Sequence, residues 1–244
     1  MNSTTIQTGN ERPALTTLMK VLLGCGIVSS LLYVGGEVLA SMSWQGYSYV
    51  NQAVSELAAI GAPTRPMMVL LFSVYNALVL AFAVGVWGTA DNKRSLRVAA
   101  LALVAYAVVG QATTLFSPMH LRGSAVTATD IGHMALTAAE VLSVVLFMSF
   151  GSSARGKGFR IYSIATILVL IAAGAIVGAQ APQMTAAATS TPWAGILERV
   201  NIYATMLWVL VLAVTLLRGR MGVAAMRTAA AHAIAMRGIT NIVR

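Results

Sequence analysis

The side chains of this sequence that could do chemistry are few, and several of them are spaced regularly. Asp130, His133, Thr137 and Glu140 follow one another at i, i+3, i+7 and i+10, which places them on one face of a helix. Two shorter stripes have the same kind of spacing: Ser30, Tyr33 and Glu37, and then Glu198, Asn201 and Thr205 with Arg199 beside them. Carboxylates and imidazoles in such stripes could exchange protons as general acid and base, relay protons for transport, or bind a polar headgroup without chemistry.

A divalent metal ion is the other partner that these residue types allow. His120, Asp130 and His133, with one further carboxylate, have the donor atoms that suit zinc or a similar ion. Their spacing matches no specific zinc motif. The cofactor is therefore left open, with a divalent ion as one alternative.

The residues that we single out for a polar pocket are ionisable and fall on one side of the apolar segments described below. They are Glu56, His120, Asp130, His133, Glu140, Glu198 and Arg199. Structural roles compete with this hypothesis: Asp130 is also typical of a helix N-cap, and Glu198 could simply pair with Arg199. Glu140 is the hardest to explain in that way, because it lies two to three turns inside an apolar helix, where a charge needs a partner or water.

The composition shows what kind of element must position these side chains. The chain has 244 residues, of which 58% are hydrophobic and only 9% are charged, and its mean hydropathy is +0.79. About a quarter of the residues of a soluble globular domain are charged, so that class is excluded. A single cysteine and the absence of a glycine period exclude a disulfide scaffold and collagen. An integral membrane protein remains.

Six stretches are long and apolar enough to cross a bilayer as helices, since a crossing takes roughly 20 residues. They are Leu18–Ala40, Pro66–Ala90, Leu96–Phe116, Thr129–Gly151, Ile161–Ala181 and Ile196–Leu217. Their apolarity is continuous rather than alternating, which favours helices over the strands of a barrel. The sequence thus predicts an all-α bundle of six transmembrane helices, with an N-terminal segment 1–17, a membrane domain 18–217 and a basic tail 218–244.

A short amphipathic helix is predicted outside the membrane, between the first two spans. Tyr47, Val50, Val54 and Leu57 recur at helical spacing, and polar side chains that include Glu56 lie opposite them. The first span is expected to remain uncleaved, because it is long for a signal peptide.

Lysine and arginine placement predicts the orientation. Thirteen of the 16 basic residues fall on one side of the spans, and Arg65, Arg122 and Arg199 are the exceptions. By the positive-inside rule, both termini are therefore cytoplasmic and the protein lies in the inner or plasma membrane. The net charge of +9 is explained by this topology and by attraction to anionic membrane lipid, so nucleic acid is not expected as a partner. Gly174 and Gly178 are small residues at a spacing that allows close helix packing, with homo-oligomer formation as the alternative.

Three stretches resemble a known family. They are Asn51–Pro63, then Phe116–His120 followed by Asp130 and His133, and finally Gly195–Arg199. Their order and the helix count are similar to the prokaryotic membrane family catalogued as domain of unknown function 998. That family has no established activity. The resemblance implies only that Ser55, Glu56, His120, His133, Glu198 and Arg199 occupy its motif positions.

Three hypotheses for function follow from the sequence. The first is an outward-facing His/carboxylate pocket that binds or acts on a lipid or small amphiphile, and whether it is an enzyme is left open. The second is a proton-coupled transporter, which would need polar residues that continue to the cytoplasmic face. The third is a non-catalytic subunit of a membrane complex.

Overall fold

The computed structural model describes residues 11–184 and 191–242, and these are helical apart from their connections. Six long helices follow the six predicted spans: α1 (Glu11–Ser43), α2 (Arg65–Thr89), α3 (Arg94–Phe116), α4 (Ala128–Gly151), α5 (Lys157–Met184) and α6 (Ala194–Ile242). Each contains a segment long and apolar enough to cross a membrane. The predicted all-α bundle is confirmed, and the protein is a multi-pass membrane protein.

Successive helices run in opposite directions, so the connections between them lie alternately at the two ends of the bundle. The connections α1–α2 and α3–α4, the end of α5 and the start of α6 lie at one end, which we call the polar end. The α2–α3 and α4–α5 connections and the start of α1 lie at the other, the terminal end. Helix α6 continues past its membrane-crossing segment to Ile242. The division into N-terminal segment, membrane domain and tail stays a prediction.

The helices are arranged as an incomplete ring. Helix α1 packs between α2 and α6, α3 packs between α2 and α4, and α5 packs on α6. Contacts between α4 and α5 are sparse. The order around the bundle is therefore α4–α3–α2–α1–α6–α5, and the ring closes weakly between its first and last members.

An aromatic cluster fills the half of the bundle nearer the terminal end. The ring centroids of Tyr106 and Phe147 lie 5.8 Å apart, those of Phe147 and Trp208 lie 5.4 Å apart, and Phe159 lies 5.6 Å from Trp208. A Cβ atom at Gly151 would lie 2.6 Å from the Trp208 ring. Only glycine therefore allows the end of α4 to approach α6 so closely, and α3, α4, α5 and α6 are joined here.

The segment between α1 and α2, residues 44–64, folds over the polar end, and we call it the cap. Its regular structure is limited to a five-residue 3-10 helix, Val54–Ala58, whereas residues 44–53 form turns and bends. Of the short amphipathic helix predicted from Tyr47, Val50, Val54 and Leu57, a helix is thus present only over Val54–Ala58, and Tyr47 and Val50 precede it. Glu56 is fully buried because its carboxylate turns inward to an arginine.

The two glycines proposed for close packing differ in their surroundings. A Cβ atom at Gly174 would lie 3.4 Å from Asn201 on α6, whereas one at Gly178 would meet nothing within 4 Å. Gly174 therefore faces a neighbour within the same chain. Self-association through this pair stays a prediction.

We predict that Trp208→Ala strongly destabilises the bundle, because it removes the ring that joins α4, α5 and α6. The expected loss is about 3 kcal/mol in the free energy of unfolding, measured by denaturation of the detergent-solubilised protein. The neighbouring Leu207 is exposed, so Leu207→Ala is the matched control and should change stability by no more than about 0.5 kcal/mol. Equal losses in the two variants would contradict a central role for the aromatic cluster.

Candidate functional site

A buried ion pair joins the last turns of α1 to the first turns of α6. The Arg199 guanidinium donates to Oε1 of Glu37 from Nη2 at 2.5 Å and from Nε at 3.1 Å. The Tyr203 hydroxyl donates to the other carboxylate oxygen of Glu37 at 2.5 Å. Arg199 and Glu37 are almost completely inaccessible. Each charge is therefore satisfied by specific partners rather than by water, as a buried charge must be.

The same guanidinium holds the cap. Arg199 Nη1 donates to the carbonyl oxygen of Tyr49 at 2.8 Å, and Nη2 donates to the Tyr47 hydroxyl at 3.0 Å. The guanidinium carbon lies 3.5 Å from the centroid of the Tyr49 ring, within cation–π range. Burial raises the pKa of the Tyr47 phenol above its ordinary value. That hydroxyl thus stays protonated, and it donates back into the cap to the Ala53 carbonyl oxygen at 2.8 Å.

A second ion pair ties the cap to the α3–α4 connection. Arg122 donates from Nε to Oε2 of Glu56 at 2.7 Å and from Nη2 to Oε1 at 2.6 Å, a two-pronged geometry. Glu56 also accepts the Ala53 amide hydrogen at 2.8 Å. The hydrogen bonds to Glu56 raise the pKa of Arg122 above its ordinary value, so the guanidinium stays charged.

The Glu198 carboxylate of α6 binds the start of the cap's 3-10 helix. It accepts the amide hydrogen of Val54, the first residue of that helix, at 2.5 Å. An acceptor is favourable there because the first amides of a helix have no partner within it. Glu198 and Arg199 are adjacent in sequence, but each serves the cap through different partners.

His120 and Asp130 form a local pair in the α3–α4 connection. Asp130 accepts the backbone amide of His120 at 2.7 Å, and His120 Nδ1 lies 3.1 Å from its other carboxylate oxygen. Asp130 also accepts the Thr127 amide hydrogen at 2.8 Å at the start of α4. The N-cap residue of α4 is therefore Thr127, and Asp130 occupies the N3 position of a capping box instead of the N-cap position that the sequence offered as its alternative.

His133 faces α3 instead of joining that pair. Its Nδ1 lies 3.0 Å from the carbonyl oxygen of Ser117. A carbonyl can only accept, so Nδ1 carries the hydrogen in this contact and Nε2 of the neutral ring is left as an acceptor.

Glu140 lies deeper in the bundle than the other candidates. Its Oε1 accepts the Thr113 hydroxyl at 2.8 Å, and the phenols of Tyr33, Tyr75 and Tyr106 lie within its electrostatic range. These tyrosines come from α1, α2 and α3 in turn. The ion pairs of the described residues do not include Glu140.

The predicted metal site receives no support from the geometry. Within residues 11–184 and 191–242, no three His, Cys, Asp or Glu side chains are placed to hold a metal ion. His120 and Asp130 satisfy each other and the local backbone, while His133 turns to Ser117. The three candidate ligands therefore do not form one donor set.

The candidate residues fall into three groups rather than one common pocket. Glu56 belongs to the cap, which Glu198 and Arg199 bind. His120 and Asp130 order the connection that leads into α4. Glu140 and His133 lie apart from these on the interior side of α4.

A family model described as a protein of unknown function (DUF998) matches residues 27–215. The chain belongs to the DUF998 family. No curated protein and no solved structure matches it. The matched DUF998 region begins inside α1 and ends inside α6, so it includes the whole cap and both residues of the Glu37–Arg199 pair.

Sequence reasoning missed the aromatic partners of the DUF998 ion pair. Tyr49 and Tyr203 share a hydroxyl contact of 2.9 Å, and both contact the pair, but neither was a candidate. Tyr203 lies four residues after Arg199, one helical turn away, so that spacing was an available signal. Tyr49 could not be found in the same way, because its contact crosses 150 residues of sequence.

We predict that Arg199→Gln destabilises this DUF998 protein by about 3–5 kcal/mol, because it leaves Glu37 buried without its cation. The double variant Glu37→Gln/Arg199→Gln should lose less than the sum of the two single losses, since it leaves no unpaired charge. Unfolding of the purified protein measures all three variants. Exposed Arg218 provides the control Arg218→Gln, which should be nearly neutral. Strict additivity would argue against direct coupling of the pair.

The approach of α6 to the cap gives a second prediction. A Cβ atom at Gly195 would lie 2.4 Å from the carbonyl oxygen of Gln52 and 2.5 Å from that of Tyr49. Gly195→Ala should therefore displace the cap, lower the thermal unfolding temperature and speed proteolysis within residues 44–64. Gly178→Ala is the matched control, because its added methyl meets nothing nearby. A cap in Gly195→Ala that resists proteolysis as well as the wild type would refute this close packing.

Proposed function

We propose that the protein binds a lipid or small amphiphile of the membrane in a cleft between α4 and the α5–α6 pair, near the polar end. The observation that carries this proposal is a change of exposure along one stripe of α4. Met134 and Val141 are 44% and 47% exposed, whereas Val144 and Met148, on the same stripe, are 8% and 0% exposed. A straight helix keeps such a stripe on one side.

The buried part of that stripe identifies the side on which the exposed part lies. Met148 belongs to the core that contains Trp208 of α6 and Phe159 of α5. Continued toward the polar end, the same stripe passes through Thr137 and Val141, which are exposed. The sparse contacts between α4 and α5 agree with this. Both observations support a gap that widens toward the polar end and is open to the side.

The lining of the proposed cleft suits an amphiphile. Met134 and Val141 offer apolar surface for a hydrocarbon chain, and Glu140, about 100° around α4 from Val141, accepts the Thr113 hydroxyl on the α3 side. Apolar walls with a few convergent polar groups are typical of small-molecule sites. An ionisable residue within a membrane span is also a functional candidate by default.

The transporter alternative is less well supported. A proton or solute path would have to continue to the terminal end, but the aromatic cluster of Tyr106, Phe147, Trp208 and Phe159 fills that half of the bundle. Gln111 Nε2 donates to Ser73 Oγ at 3.1 Å on its polar-end side, whereas within the cluster the Trp208 indole is bonded to Ser163 Oγ at 2.9 Å. The interior thus resembles a blind pocket more than a channel.

Binding is also favoured over acid–base catalysis. His133 and Glu140 are seven residues apart on α4, which separates them by about 10 Å along the helix axis. Direct proton exchange requires hydrogen-bond distance. Asp130 and His120 are engaged with each other and with the backbone. A role as a non-catalytic subunit remains the alternative if the cleft binds nothing.

The proposed orientation follows the basic residues. Thirteen of the 16 belong to the terminal end or to the segments beyond it, and the positive-inside rule assigns that end to the cytoplasm. The cleft would then open into the outer leaflet of the inner or plasma membrane of a prokaryotic cell.

We predict that Val141→Trp abolishes binding, because the larger side chain fills the cleft. A photoactivatable long-chain alcohol in phosphatidylcholine nanodiscs is the probe, and mass spectrometry maps its crosslinks to α4 and α6. Leu142 is exposed on another side of α4, so Leu142→Trp is the matched control and should retain the crosslinks. If both variants keep the wild-type pattern, the alcohol contacts only the outer surface and the proposal fails.

The orientation can be tested because Cys25 is the single cysteine. In a Cys25→Ser background, Ser124→Cys at the polar end should react with a membrane-impermeant maleimide on intact cells. Asn92→Cys at the terminal end should react only after permeabilisation. Both positions are exposed, so the opposite pattern would mean the opposite orientation.

A further inference from the structure

The basic residues at the polar end are all engaged by the cap. Arg65, Arg122 and Arg199 are the only lysines or arginines that the sequence places there. Arg65 donates to the carbonyl oxygen of Ala58, Arg122 is bound to Glu56, and Arg199 is bound to Glu37. Cationic side chains at this end are thus used for structure.

The carboxylates of this end are engaged too, with one exception. Glu37, Glu56 and Asp130 have a basic partner each, and Glu198 accepts the first amide of the 3-10 helix. Glu140 alone among the five has only a hydroxyl as its described partner. Among the described carboxyl groups of this end, that of Glu140 is thus the one paired with neither a cation nor a helix terminus.

The carboxyl group of Glu140 lies in a low-dielectric setting, where its ionised form needs a counterpart. A carboxylate within an apolar span is unfavourable unless it is paired, hydrogen-bonded or hydrated. The phenols of Tyr33, Tyr75 and Tyr106, which lie within electrostatic range of Glu140, can donate and accept hydrogen bonds but supply no positive charge. The surroundings therefore favour a ligand that brings a positive charge.

We propose that the ligand of this cleft is a long-chain amine, held through its ammonium group by Glu140 while its hydrocarbon chain lies along α4. The inference rests on the proposed function and adds the chemical class of the headgroup. An ammonium supplies three donors, which the Glu140 carboxylate and nearby oxygen atoms can accept. A phosphate or carboxylate headgroup would find no lysine or arginine free of a structural partner among the described residues of this end, and its negative charge would oppose the ionisation of Glu140.

The test uses three photoactivatable probes with one chain and different headgroups: an amine, an alcohol and a carboxylic acid. Each is added to the full-length protein in phosphatidylcholine nanodiscs, and the crosslinks that Val141→Trp removes are counted as cleft binding. The amine should exceed the acid by about tenfold or more, the ratio expected for a charge-assisted hydrogen bond. Glu140→Gln should abolish the preference for the amine, so that the amine and the alcohol crosslink to this variant to the same extent.

Glu140→Asp keeps the negative charge and guards against a loss that reflects misfolding. It should retain a preference for the amine, and thermal unfolding of both variants reports on the fold. Equal cleft binding of all three probes, or a preference for the acid, would overturn the amine inference and leave the proposed cleft intact. An absence of crosslinks sensitive to Val141→Trp for every probe would overturn the proposed function itself, and the amine inference with it.

Discussion

The structure of the polar end depends on the hydrogen bonding of one buried guanidinium. Removing Arg199 and Glu37 from water costs several kcal/mol for each ion, and their mutual attraction offsets this only if the remaining donors and lone pairs are satisfied. Here the Glu37 carboxylate accepts from Arg199 and Tyr203, while Arg199 also reaches carbonyl oxygens of the cap. The ion pair is therefore linked to the cap, because the cap supplies the acceptors that the pair needs.

This constraint accounts for the arrangement of the other charges. The cap is too short to bury an apolar core of its own, and Val54 and Leu57 instead pack on Met68 and Leu71 of α2. Glu56 and Glu198 then hold its 3-10 helix in place, Glu56 through Arg122 and Glu198 through the Val54 amide. Most of the conspicuous ionisable residues of the sequence are thus used to hold a loop, and Glu140 is set apart by not sharing in this.

The sequence was sufficient to predict the helices but not the side-chain pairs that join distant parts of the chain. All six spans follow from hydropathy, because lipid requires a helix to satisfy its own backbone, and Glu140 was selected by its depth in a span. The predicted external helix is present only over Val54–Ala58, since the apolar periodicity of Tyr47, Val50, Val54 and Leu57 fits a longer helix equally well. Only a partner 66 residues away, Arg122, turns Glu56 inward. Likewise, Arg199 and Glu37 are 162 residues apart, and no local spacing could have paired them.

The cap has a further consequence through the two places to which it is attached. Arg199 holds it to α6, and Arg122, together with the Ile60 amide bonded to the Met119 carbonyl oxygen at 2.8 Å, holds it to the α3–α4 connection. It thus bridges from α6 to the connection that leads into α4. A ligand that approaches from the aqueous side would have to displace the cap and break both attachments. A ligand already dissolved in the bilayer could enter from the side, below the cap, so the route of entry would itself select for molecules that partition into membranes.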